Sequence, residues 1–120
     1  MLKELPRMLT PIEWRVLLVL WDLRQANPMG VAAILGKIYG VTMSPKAARL
    51  LLLDLKELGI VRSATAPPVR RGRPMVVYGP ALDKKEATRL LMRRFLADSL
   101  MQPEEFLAVL EKPDRPSASK

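Results

Sequence analysis

Apolar positions recur at helical spacing in three stretches before residue 60, shorten to extended runs between 60 and 80, and return to helical spacing after residue 83. The first helix has a well-defined start. Thr10-Pro11-Ile12-Glu13 fits a capping box, the Thr10 hydroxyl accepting from the Glu13 backbone N–H while the Glu13 carboxylate accepts from that of Thr10. Pro11 stands where a missing N–H costs nothing, and Leu9 with Trp14 can form a hydrophobic staple. The helix should run to about Arg24, with Trp14, Leu17, Leu18 and Trp21 on one face and Val16, Leu20 and Leu23 as a second strip. Core burial or partner packing would each account for that second strip.

Residues 25–29 form a turn, with Asn27-Pro28 as a cap and first helical position. A short second helix from about Gly30 to Tyr39 turns Val31, Ile34, Leu35 and Ile38 inward and stops at Gly40. The third helix opens with Ser44 as N-cap and Pro45 at its first position, and closes with Gly59 just beyond its end. Its core stripe is Ala48, Leu51, Leu52, Leu55 and Leu58. Thr42, Ser44, Lys46, Ala47, Arg49 and Leu50 are left on the outer N-terminal surface, where a recognition helix touches base edges and phosphates. Small Ala47 permits close approach, and Leu50 can meet thymine methyls. An ordinary amphipathic helix with solvated Lys46 and Arg49 is the alternative for this segment taken alone.

Ile60 to Ala64 reads as a strand and Met75 to Tyr78 as its return. The connection is rich in Pro, Gly and Arg, and its Arg71-Gly72-Arg73-Pro74 matches the core of the AT-hook, in which an extended backbone lays two arginines into a narrow minor groove. A plain Gly-Pro hairpin tip is the alternative. Asp83-Lys84-Lys85-Glu86 is a second capping box, opening a helix to about Met101. A last short helix runs from Pro103 to about Leu110, and the Pro/Ser-containing residues 113–120 read as a disordered tail. Leu90, Phe95, Leu96, Leu100, Phe106 and Leu107 exceed what one small domain needs to cover, and suggest a homodimer interface. Packing of these helices back onto the first is the alternative.

Charge narrows the function classes. The 120 residues carry a formal +8 with no histidine and no cysteine. The commonest general base, the usual zinc ligand and thiolate chemistry are therefore missing, and no paired-carboxylate or nucleophile constellation replaces them. The expectation is no enzyme, no cofactor and no metal. From Arg62 to Arg94 there are nine Lys/Arg against two acids, a local +7. Excess charge concentrated in the hairpin and the following helix suits double-stranded DNA. Arg62, Arg70, Arg71 and Arg73 join the third helix as candidate DNA contacts. The longest apolar run, Val16 to Trp21, is six residues, too short to span a bilayer. The first nine residues lack a signal-peptide apolar stretch, so a cytoplasmic location without membrane contact is expected.

The expected architecture is α+β, mainly α: a winged helix-turn-helix of three helices and a β-hairpin wing over residues 1–82, and dimerisation helices over 83–112. Leu9-Thr10-Pro11-Ile12-Glu13-Trp14 with Val16, Leu20 and Trp21 resembles the first helix of the penicillinase and methicillin-resistance repressors. Ser44-Pro45-Lys46, Arg49, Leu55 and Gly59-Ile60-Val61 resemble their recognition helix and the start of their wing, and the helical C-terminus resembles their dimerisation region. The resemblance implies a dimeric, sequence-specific transcriptional repressor. The wing is longer and richer in arginine than in that family, and the last helices contain no Asn-Phe pair, where those repressors are cleaved, so proteolytic control is not implied. Two other functions fit the same charge and motifs. One is a DNA-binding part of plasmid or viral replication or of chromosome architecture; the other is a protein-binding winged-helix module.

Overall fold

The computed structural model describes residues 4–66 and 74–111. Seven elements follow in order: α1 (Pro11–Leu23), α2 (Pro28–Tyr39), α3 (Pro45–Glu57), β1 (Val61–Ala66), β2 (Met75–Pro80), α4 (Lys84–Ser99) and α5 (Pro103–Glu111). The molecule is mainly helical, with one antiparallel hairpin pairing Val61 with Pro80 through Ala66 with Met75. Both strands are longer than their apolar runs suggested, because the ladder continues through Thr65 and Gly79, which carry no apolar signal.

Local chemistry explains the helix boundaries. The capping box at α1 is complete: the Glu13 N–H donates to Thr10 Oγ1 at 3.2 Å, and the Thr10 N–H donates to Glu13 Oε1 at 2.8 Å. Helix α2 starts at Pro28 rather than near Gly30, since Asn27 Oδ1 accepts from the Gly30 N–H at 2.8 Å and Pro28 fills the first position. Helix α4 has half of the expected box. Asp83 Oδ1 accepts from the Glu86 N–H at 2.7 Å, but the Glu86 carboxylate pairs with Arg89 instead of returning to the cap. It ends at Ser99 because Leu100 takes a left-handed conformation at φ 58°.

One apolar cluster holds α1, α2, α3 and the hairpin together: Val16, Leu17, Leu20, Val31, Leu35, Ala48, Leu52, Leu55, Ile60, Val61 and Tyr78. The second strip of α1 is thus core through Val16 and Leu20, while Leu23 at the helix end lies exposed. Ile38, expected inside, is 58% exposed, because the buried stripe of α2 runs through Val31, Ala32 and Leu35. The segment before α1 is fastened to the body. Leu5 and Leu9 are buried in the same cluster, and Arg7 grips the Glu13 carboxylate with two hydrogen bonds of 2.8 and 2.7 Å. Those bonds hold the Glu13 carboxyl below its ordinary value, against burial, with the Thr10 backbone N–H adding to the effect.

Leu90 requires a correction. Expected on a dimer face, it is 1% exposed and belongs to this chain's own core, together with Leu5. Three turns of α4 therefore include residues packed on the body, and Arg94 reaches back to the Leu5 carbonyl at 3.4 Å. Beyond that the arm leaves the core: no α5 residue is buried, and the molecule measures 66 × 33 × 19 Å along its principal axes. The tail, residues 113–120, lies outside the described residues.

Candidate nucleic-acid interface

The first two turns of α3 are shaped by what lies behind them. Ser44 Oγ accepts from the Ala47 N–H at 3.1 Å, which fixes where the helix begins. Ala48, Leu52 and Leu55 are fully buried against α2, α1 and β1. Helical geometry then directs Lys46, Arg49 and Leu50 away from the core, and all three are exposed, Leu50 by 52%. Thr42 and Ser44 are exposed as well, whereas Ala47 is half-buried. Among the described residues, neither Lys46 nor Arg49 makes a side-chain hydrogen bond or ion pair. Their charge is available to a partner.

These cations border a groove of about 470 Å³ whose other walls come from elsewhere in the chain. Pro45, Lys46 and Arg49 form one side; Asn27, Pro28 and Met29 from the start of α2, with Met75, Val76 and Tyr78 from β2, form the rest. The Asn27 side-chain amide donates to Met75 Sδ at 3.2 Å, tying the return strand to α2 beside the start of α3. Met29 and Val76 are 66% and 45% exposed, so the cations stand beside an apolar rim. Sequence reasoning missed Asn27, Met29, Met75 and Val76 as part of this face. The available signal was Met29, which falls off the Val31–Leu35 stripe and so has no core to enter.

Arg62 is not brought to this groove. Its Nε donates to the Pro80 carbonyl at 3.2 Å, and it lines a separate cleft at the base of the hairpin. Strand alternation accounts for the difference: Val61 and Tyr78 face the core, and Arg62, paired with Gly79, takes the opposite side. Arg70, Arg71 and Arg73 lie outside the described residues.

Of the residues expected on a dimer face, Phe95 and Phe106 stack at 5.4 Å between centroids with a 52° tilt, joining α4 to α5. Leu96 and Leu100 border a shallow groove with Arg93, Met101 and Pro103. Leu100 is 88% exposed and Leu107 54%, and Val109 and Leu110, not singled out in the sequence, are each 62% exposed. No group of three or more His, Cys, Asp or Glu among the described residues is placed to hold a metal ion. No helix among them is long and apolar enough to cross a membrane.

No protein-family model matches the chain, and no curated protein matches it in sequence. Solved structures do match. Pex from Synechococcus sp. superposes with a TM-score of 0.51 at 20% identity, over 81% of this chain and 88% of its own. A candidate transcriptional regulator from Thermoplasma acidophilum gives 0.51 at 19% identity, over 84% and 94%. RosR from H. salinarum gives 0.50 at 16%, over 85% and 87%. At such identities the likeness is one of fold. Three helices with α2 and α3 as the helix-turn-helix, an antiparallel hairpin beside them and two further helices make this chain a winged helix-turn-helix protein.

Proposed function

We propose that this chain is a dimeric, sequence-specific DNA-binding transcriptional regulator that acts as a repressor by occupying its site. The observation that carries the reading is the exposed start of α3, where Lys46 and Arg49, without a polar partner among the described residues, and the apolar Leu50 project from a helix anchored by Ala48, Leu52 and Leu55. Cations at this point can reach phosphates and guanine edges, and Leu50 can pack on a thymine methyl in the major groove. The formal charge of +8 supplies long-range attraction to the duplex. Arg70, Arg71 and Arg73, which lie between the two strands in sequence, are assigned to the minor groove on their sequence alone. The Thermoplasma acidophilum neighbour's description as a candidate transcriptional regulator supports the same reading.

Dimerisation follows from the arm. Leu100, Leu107, Val109 and Leu110 are exposed on helices that project from the body, and a second copy offers the same apolar surface by two-fold symmetry. Two recognition helices so joined would address half-sites about 10 bp apart or a multiple of that. Residues 1–82 then act as the DNA-binding part and 83–112 as the extension that pairs it, with the first turns of α4 seated on the body. Selection of bound sequences from a random duplex pool tests the function. A regulator yields an inverted repeat bound about a thousandfold or more above random DNA. Enrichment without a motif would favour an architectural role instead.

A further inference from the structure

A second cleft, of about 650 Å³, lies at the base of the hairpin, lined by Trp21, Arg24, Arg62, Pro80, Ala81, Leu82, Asp83 and Lys84. It shares no residue with the groove beside α3. Its walls are tied together by hydrogen bonds from Trp21 Nε1 to the Leu82 carbonyl at 2.9 Å, from Arg62 Nε to the Pro80 carbonyl at 3.2 Å, and from the Ala81 N–H to the Ile60 carbonyl at 3.0 Å. Three cations line it against one carboxylate, and Asp83 already accepts the α4 cap bond. Among the described residues, none of the three is in an ion pair: the pairs present are Arg7–Glu13, Arg89–Glu86 and Arg94–Asp98.

Arg24 is held there at a conformational cost. Its φ of 74° is one that side-chain-bearing residues rarely adopt, and its N–H is fixed on the Leu20 carbonyl at 2.7 Å. The neighbouring strand makes room for it: a Cβ at Gly79 would lie 2.8 Å from the Arg24 carbonyl oxygen. A glycine at position 24 would relieve the backbone, yet an arginine stands there with its side chain lining the cleft.

We infer that this cleft is a binding site for a small organic anion, a carboxylate on a flat apolar body. Arg24 and Arg62 suit a carboxylate, since planar guanidinium groups present paired donors to two oxygens. Lys84 adds a point charge, and Trp21 with Leu82 and Pro80 supplies the apolar contact for the body of the ligand. The site touches the end of α1, the foot of the hairpin and the start of α4, so a ligand there contacts both the DNA-facing body and the arm. The inference does not depend on the chain binding DNA.

Benzoate is a suitable probe, because Trp21 reports its arrival. Titrating the full chain with benzoate at constant ionic strength should give a saturable change in tryptophan fluorescence with a Kd of about 1 mM or tighter. Arg24→Gly, which removes the side chain and suits the positive φ, and Arg62→Gln should each weaken binding about tenfold while melting cooperatively. Lys46→Ala should leave binding unchanged. Acetate and inorganic phosphate should bind more weakly than benzoate. The inference is overturned if benzoate gives no saturable response, if both cleft variants bind as the parent does, or if phosphate binds as well as benzoate.

Discussion

Glu13 shows how much one buried carboxylate can organise. It is 3% exposed, closes the α1 capping box and anchors the segment before α1 through Arg7. Replacement by Ala should cost about 1–2 kcal/mol, because the Thr10 N–H and the half-exposed Arg7 lose their acceptor together. The pH dependence has a definite sign. A carboxyl whose folded value is lowered contributes stability that is present above its ordinary 4.5 and is lost as pH falls through the folded value. Melting temperatures of the parent and Glu13→Gln should therefore converge as pH drops below about 4; a gap that stays constant from neutral to acid would contradict the ion pair. Gly79 is a second position where one atom decides. Gly79→Ala places a Cβ 2.8 Å from the Arg24 carbonyl, and urea melts should register a loss of about 1–3 kcal/mol. An unaffected midpoint would show that the strand and the α1 end can part without cost.

At the scale of elements, the sequence spoke most clearly where short-range chemistry decides the structure. Thr10-Pro11-Ile12-Glu13 and Ser44-Pro45 announce two helix starts because caps act within three residues, and both are present as expected. The α3 stripe emerged for the same reason, and with it the exposure of Lys46, Arg49 and Leu50. What the pattern concealed depends on contacts distant in sequence. Leu90 lies 85 positions from Leu5, and no local period reveals that the N-terminal arm and α4 share a core. The Asn27–Met75 bond spans 48 positions and joins α2 to the hairpin, so the groove beside α3 was invisible in the sequence. Arg62 stands apart from that groove; its charge was legible but its side of the strand was not. Alternation could not be phased until Tyr78 was known to be buried.

The whole molecule is a packed winged-helix body with an extended arm, and its proposed function needs both. Exposure of Leu100 and Leu107 on that arm predicts that the protein sediments as a dimer at micromolar concentration, and that Leu100→Asp with Leu107→Asp shifts it to monomer without unfolding the body. A parent that sediments as a monomer would remove the arm from the account. The proposed DNA-facing role of α3 is tested most directly by the salt dependence of affinity for a selected duplex, measured for the parent and for Lys46→Ala with Arg49→Ala. Two lost cations should reduce the slope of log affinity against log salt by up to about two units, near one per charge, and weaken binding at every salt concentration. The same affinity and the same slope in the double variant would show that α3 does not meet DNA.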